Sequence, residues 1–285
     1  MAKRKKTARQ PKAHRLTCPD ILGDHPLESH PFGNLLTAID ESTESGVPHR
    51  ALSESKGQRE AIVEHVREML IRHHVSPEAL GRDKQRRQAM KRLGFDEPQS
   101  RMKRFPTNAS TQKGNLAEVV LAEYLSAASK VSLPIYRLRY NPNVDQAMKG
   151  DDVLAFDLDS DPVRIIVGES KFRATSSKAA VTEIVEGLVR SHKGGIPASL
   201  QFVADRLFET GKADLGERVL ECATLFALEK LRFDYAGLLM SDTRSAERFK
   251  KHTGNDLNRL AVISFGLDSP GSIVDSCYYG LEEQQ

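Results

Sequence analysis

The segment that most constrains the fold covers residues 150–171, with the sequence GDDVLAFDLDSDPVRIIVGESK. Two short apolar runs, at 153–156 and 163–167, flank a polar turn over 157–162. Short runs of β-branched or large apolar residues that are joined this closely predict an antiparallel β-hairpin. The first strand begins at a pair of aspartates, and the second ends in an acid-x-lysine triplet.

The charged residues at this end of the hairpin are Asp152, Glu169 and Lys171. Residues two apart in a strand share a face, so Glu169 and Lys171 are expected to point the same way and Ser170 away. Mg²⁺ prefers oxygen ligands and usually takes only one or two protein carboxylates. We therefore expect Asp152 and Glu169 to bind a metal, with the Ser170 carbonyl as a further oxygen. Lys171 is then placed to hold or deprotonate an attacking water.

An ordinary ion pair at the rim of the sheet is the alternative interpretation, because acid-x-lysine triplets are common. The run before Glu169 is expected to be buried, where an unpaired charge is costly. A second acid at the start of the partner strand adds a like charge that a bound metal would relieve. This context favours the catalytic interpretation.

A helix is predicted before the hairpin, with Leu116, Val120 and Tyr124 on its apolar face. Glu118 lies at one border of that face, so its carboxylate is expected to reach the sheet and complete a second metal position through water. Glu123, at the opposite border, is the competing candidate.

The rest of the chain alternates between helical and extended patterns. Residues 133–140, LPIYRLRY, alternate polar and apolar side chains and predict a strand with Arg137 and Arg139 on one face. Further helices are predicted near 176–189, 198–209, 214–230 and 244–252, and strands near 235–240 and 259–266. This order predicts an α/β protein with a mixed central sheet flanked by helices.

Three parts are predicted along the chain. Residues 1–50 have little periodic apolar content and seven Lys/Arg but no acid in the first fifteen, so we expect a basic, poorly ordered segment. Residues 51–104 are expected to form a helical appendage with a basic second helix that contacts nucleic acid or a partner. Residues 105–285 are expected to form the domain that carries the hairpin.

Bulk composition narrows the class of protein. No apolar run approaches the roughly 20 residues that span a bilayer, and the N-terminus lacks the apolar core of a secretory signal. We therefore expect a cytoplasmic protein without membrane contact. The cysteines at 18, 222 and 277 are far apart and form no CxxC or Cys/His cluster, which favours free thiols over a zinc site or disulfides.

The motifs GDDVLAF and GESKF, preceded by a KGNxxE helix, resemble the PD-(D/E)xK nuclease superfamily. The resemblance implies a restriction-endonuclease-like fold, with the first acid of the motif at Asp152 and the acid-x-lysine at Glu169 and Lys171. It places the helix acid at Glu118. Asp151 is the alternative for the first acid, and the proline of the superfamily's name is absent here.

More narrowly, QKGNLAEVVLAEYL together with GESKF is similar to HamA-like nuclease subunits of Hachiman anti-phage systems, over residues 105–266. This resemblance implies a DNase dependent on Mg²⁺, or on Mn²⁺, that a separate helicase subunit keeps inactive. The sequence contains no GxxxxGK[ST] phosphate loop, so an ATP-driven step is expected from a partner. The alternatives are a restriction- or repair-type nuclease acting alone and an inactive nuclease fold that only binds DNA.

Overall fold

The computed structural model describes residues 15–95 and 103–282. The helices are α1 Cys18–Leu22, α2 Pro31–Leu35, α3 Arg59–His74, α4 Pro77–Arg92, α5 Ala109–Ser129, α6 Lys178–Lys193, α7 Ser199–Glu209, α8 Ala213–Ala227, α9 Ser245–His252 and α10 Pro270–Tyr278. The strands are β1 Leu36–Ser42, β2 Pro48–Glu54, β3 Val153–Asp157, β4 Val163–Phe172, β5 Leu231–Asp242 and β6 Leu260–Leu267. A 3₁₀-helix covers Arg137–Tyr140.

The six strands form one sheet in the order β1-β2-β6-β5-β4-β3. The four central strands run parallel to one another, while β1 and β3 pair antiparallel at the two edges. Helices α1, α2, α3, α5 and α10 pack on one face, and α6, α7, α8 and α9 on the other. The predicted α/β class with a mixed, helix-flanked sheet is confirmed.

The predicted hairpin is also confirmed, because β3 and β4 pair antiparallel with Val153 opposite Gly168. Successive residues of β4 alternate between the two faces: Ile166 and Phe172 pack on the α5 side, whereas Ile165 and Val167 pack on the α6 side. Glu169 and Lys171 therefore belong to the α6 side, and Ser170 to the α5 side.

The prediction of a poorly ordered N-terminal segment is wrong for residues 15–50 and lies outside the described residues for 1–14. This segment contributes α1, α2, all of β1 and the start of β2, which pairs parallel with β6. Its apolar pattern is obscured because the buried residues of β2 include His49 and Arg50. The predicted boundary at residue 50 consequently falls inside a strand of the main sheet.

The strand predicted over 133–140 is also absent from the described fold, where only Ser132 bridges to Phe156 before the 3₁₀-helix begins. The sequence also gave no signal for α10, the last helix described. Helices α3 and α4 lie within residues 51–104, where a helical segment is predicted, and the Ser76 side chain caps α4 by accepting a hydrogen bond from the Ala79 amide. All three cysteines are free and buried. Within 15–95 and 103–282, no helix is long and apolar enough to cross a membrane.

Candidate active site

A notch in the sheet lies where β3 begins. The β3–β4 ladder has its first pair at Val153 and Gly168, so β4 continues for four residues with only β5 beside it. Backbone groups on the open side of this stretch are free to bind side chains from outside the ladder. Groups from both faces of the sheet can therefore meet at the notch.

Asp152, the residue before β3, binds the open edge of β4 in the notch. Its Oδ2 accepts hydrogen bonds from the Ser170 amide at 2.8 Å and from the Ser170 hydroxyl at 2.9 Å. Asp151 is used differently, because its Oδ1 accepts from Ser191 on α6 at 2.7 Å and its amide donates to Ser199. Of the two aspartates, Asp152 is thus the one that faces the end of β4.

Glu169 and Lys171 project together on the α6 side, and Lys171 Nζ donates to Glu169 Oε1. The shared face expected from the strand period is therefore observed. Burial raises the pKa of Glu169 and the charge of Asp152 raises it further, while Lys171 and Arg190 act in the opposite direction. The Glu169 side chain also packs against α6, where it occupies the space that a side chain at Gly187 would need.

Glu118 reaches the same site from α5. It is buried, and its Oε1 lies 3.0 Å from Arg137 Nε, an ion pair in which the two atoms are not aligned for a hydrogen bond. Burial raises the pKa of Glu118 to about 8; Arg137 opposes the shift, and the charges of Asp152 and Glu169 add to it. The helix acid and the two hairpin acids are therefore close enough to interact electrostatically.

Two cavities meet at this cluster, and both are lined by Glu118, Asp152 and Met148. The first, which we call the polar cavity, has a volume of about 480 Å³ and a wall that is about half polar and includes Lys171 and Lys113. The second has a volume of about 270 Å³ and is mostly apolar. Glu169 lines neither cavity and joins the site through Lys171. The structure thus brings three of the four predicted residues to one cavity and the fourth directly behind it.

The competing glutamate, Glu123, lies outside this cluster. Its carboxylate binds His73 Nε2 at 2.7 Å and Arg72 Nη2 at 2.8 Å on α3, and these partners lower its pKa to about 2 despite burial. Glu123 therefore joins α5 to α3. The helical spacing alone could not separate it from Glu118, because both border the same apolar face.

Sequence reasoning missed the role of Arg137, which it placed with Arg139 on one face of a predicted strand. The Arg137 side chain instead pairs with Glu118 and donates to the carbonyls of Asp151 and Met148. It therefore holds the loop before β3 against the site. Arg139 is half-buried: it donates to the Arg72 carbonyl and stacks over the Tyr136 ring at 4.6 Å.

The resemblance implies a divalent metal, and the side chains at this site offer the type of ligand atom that such a metal binds. Asp152 and Glu169 supply the oxygen ligands that Mg²⁺ prefers; the charge of Asp152 raises the pKa of Glu169, and both charges raise the pKa of Glu118. Glu118 Oε1 is a buried oxygen without a hydrogen-bond donor. Among the described residues, however, no three His, Cys, Asp or Glu side chains stand together as a ready cluster for a metal. Two carboxylates are enough for Mg²⁺, which keeps several waters.

The fold and site define a mixed α/β protein with an acid- and lysine-lined cavity at an interrupted sheet edge. Comparison with known proteins gives the family. The HamA family model matches residues 30–281, and a protein named Hachiman protein HamA from Bacillus cereus is 34% identical over 259 residues, covering 91% of this chain and 93% of the relative. The chain belongs to the HamA family. The match begins near α2, well before the 105–266 region that carried the resemblance, which agrees with the N-terminal strands being part of the sheet.

The raised pKa of Glu118 gives a pH-dependent contribution to stability. Between pH 4.5, its ordinary pKa, and about 8, the folded state keeps a proton that the unfolded state has lost. The contribution of Glu118 to stability is therefore expected to fall with rising pH in this window, by up to about 1.4 kcal/mol per pH unit. Glu118→Gln should remove this slope and be relatively more stable at the alkaline end.

Urea unfolding from about pH 5 to 8 in the presence of EDTA measures this slope. Glu217→Gln, at an exposed position on α8, serves as the control and should keep the wild-type slope. Equal slopes for the wild type and Glu118→Gln would mean that Glu118 titrates near its ordinary pKa.

Proposed function

We propose that this protein is a metal-dependent DNA nuclease and the effector of a Hachiman anti-phage defence complex. The supporting observation is the meeting of Asp152, Lys171 and Glu118 in one polar cavity, with Glu169 held behind Lys171. Phosphodiester hydrolysis requires charge stabilisation at the phosphate, a positioned water and an aligned attack. Membership of the HamA family and the name of the Bacillus cereus relative support the defence role.

Each residue has a part in the proposed chemistry. Asp152 and Glu169 would hold Mg²⁺ or Mn²⁺, which supplies charge stabilisation at the phosphate when bound. Asp152 is fixed by two hydrogen bonds from Ser170, so its carboxylate is already oriented. Lys171 lines the cavity and would hold the attacking water and offset phosphate charge. Arg137 is a positioning residue that fixes Glu118 and the loop before β3.

Plasmid cleavage tests the proposal. The purified protein is incubated with supercoiled and linear DNA in Mg²⁺, in Mn²⁺ or in EDTA, beside Lys171→Ala and the control Lys230→Ala. Lys230 is exposed and precedes β5, whose first residue pairs with the start of β4 far from the notch. We expect metal-dependent cleavage by the wild type and the control, and none by Lys171→Ala. Cleavage that persists in EDTA and in Lys171→Ala would exclude this site.

The helicase partner is part of the same proposal. If a helicase subunit restrains the nuclease, adding the subunit encoded beside this protein should lower plasmid cleavage, and ATP with processed DNA should restore it. Cleavage unaffected by that subunit would favour a nuclease acting alone. DNA binding without any cleavage would favour the inactive binding module. The absence of a three-residue metal cluster among the described residues is the observation that favours this alternative.

A further inference from the structure

Helix α4 stands out from the rest of the fold because it is almost entirely exposed. Of its sixteen residues, all described, Ala79 alone is buried. A helix that buries so little apolar surface gains little from packing against the body. The helix is stabilised locally by its N-terminal cap, Ser76, and by Pro77 at the first position. Helix α4 is thus built to present its side chains outward.

The side chains that it presents are cationic. The sequence PEALGRDKQRRQAMKR contains six Lys/Arg against two acids. One acid, Glu78, is in the first turn, where it suits the helix dipole, and the other, Asp83, is bound by Arg104 Nη2 at 2.9 Å. In the described part of the chain, no acidic oxygen lies within ion-pair distance of Lys84, Arg86 or Lys91. Among residues 15–95 and 103–282, no acid therefore compensates the charge of these three exposed cations.

Helix α4 is anchored beside the polar cavity. It begins three residues after His74, whose Nε2 lies 3.1 Å from the Asn115 amide nitrogen, and Asn115 lines the cavity. Farther along, Asp83 binds Arg104, which starts the segment leading to Thr107. Thr107 donates to Asp145, and the Asp145 carbonyl accepts from Thr111, also on the cavity wall. Contacts at His74 and at Asp83 therefore connect α4 to residues of the cavity wall.

We propose that α4 binds the phosphate backbone of DNA and holds the duplex beside the polar cavity. This inference rests on the proposed function for the identity of the polyanion. A helix of sixteen residues is about 24 Å long, which matches about seven base pairs of duplex at 3.4 Å each. Contacts of Lys and Arg with phosphates carry no base information, so binding through α4 is independent of sequence.

The salt dependence of DNA binding tests this inference. Binding of the full-length protein to a fluorescent duplex of about 30 base pairs is measured in EDTA between about 50 and 200 mM salt, and each lost phosphate contact should reduce the slope by about 0.9. The triple variant Lys84→Gln, Arg86→Gln, Lys91→Gln is expected to reduce the slope by about 2 to 3 and to weaken binding at least about tenfold.

A matched control removes the same charge elsewhere. Three exposed cations at the opposite end of the sheet serve this purpose. Lys130 lies two residues before Ser132, which bridges to Phe156 near the end of β3, Arg218 binds Asp159 in the β3–β4 turn, and Lys230 precedes β5. Their triple replacement by Gln should change the slope by less than about 1. Circular dichroism establishes that both triple variants are folded.

The outcomes separate this inference from the proposed nuclease activity, because binding in EDTA involves no cleavage. A slope change in the α4 variant supports the inference even if the wild type never cuts DNA. Equal slopes in the two triple variants, or no DNA binding by the wild type, would overturn it. Unchanged DNA binding with loss of helicase-subunit capture would instead make α4 a protein-docking helix.

Discussion

Gly187→Ala is expected to lower the rate of DNA cleavage by about 10²-fold or more without loss of stability. A Cβ atom at position 187 would lie 2.9 Å from Glu169 Cδ, 3.1 Å from Cγ and 3.2 Å from Oε1. The distance to Cδ is shorter than Cβ atoms tolerate and the other two are tight, so the flexible Glu169 side chain must move. Its movement disturbs the contact with Lys171 and the proposed metal ligand together.

The stability of this variant should equal or exceed that of the wild type. Gly187 lies inside α6, and alanine is favoured over glycine in a helix interior by about 1 kcal/mol. Loss of activity with retained stability distinguishes a displaced catalytic side chain from partial unfolding. Cleavage rate and thermal midpoint are measured on the same preparation.

Gly81→Ala is the matched control, because Gly81 also lies inside a helix and a Cβ there would meet no atom within 4 Å. We expect the control to gain stability and to keep full activity. If Gly187→Ala also cleaves DNA at the wild-type rate, the position of Glu169 in the structure does not matter for the reaction, and its assignment as a metal ligand fails.

Asp234→Ala is expected to give the largest loss of stability, about 3–5 kcal/mol in the free energy of unfolding. Asp234 is fully buried at the start of β5, where its carboxylate binds Arg164 Nε at 2.6 Å and Arg259 Nε, with Arg232 at 3.6 Å. Removal of the carboxylate would leave three guanidinium groups facing one another with their common counter-charge gone.

The same arginines also hold α1. Arg164 donates to the Ile21 carbonyl and Arg259 to the Asp20 carbonyl, so they satisfy backbone groups at the end of a five-residue helix. Loss of Asp234 should therefore loosen α1 together with the start of β5. Hydrogen exchange of residues 18–24 would detect this local opening.

Chemical denaturation measures the effect, with Asp159→Asn as the control. Asp159 binds Arg218 at 2.6 Å but is 90% exposed, so its loss should cost no more than about 1 kcal/mol. Asp234→Asn should fall between the two, because it keeps the shape of the side chain but removes the charge. A cost below about 1 kcal/mol for Asp234→Ala would mean that the arginine cluster is not stabilised by its acid.

The features that depend on local pattern could be predicted from the sequence. The β3–β4 hairpin follows from two short apolar runs and a polar turn, and the common face of Glu169 and Lys171 follows from the two-residue period of a strand. The N-terminal caps of α4 and α6 are local as well, because the Ser76 and Ser177 side chains each accept a hydrogen bond from an amide three residues later.

The features that depend on distant partners could not be predicted. β2 is a strand because it pairs with β6, more than 200 residues later, and its buried residues include His49 and Arg50. His49 Nε2 binds the Ser264 hydroxyl, a partner that no local window contains, and Arg50 binds Asp40 on the neighbouring strand. Arg137 was misplaced for the same reason, since the buried Glu118 that holds it lies nineteen residues earlier.

The parallel pairing of β2 with β6 has a consequence for any shortened form of the protein. A fragment that begins at residue 105 would keep the hairpin and its acids, yet the outer edge of β6 would lose its neighbour. Bare edges of this kind recruit strands from other molecules. Trimming the chain back to the part with recognisable motifs is therefore expected to give a form that self-associates through the exposed edge of β6.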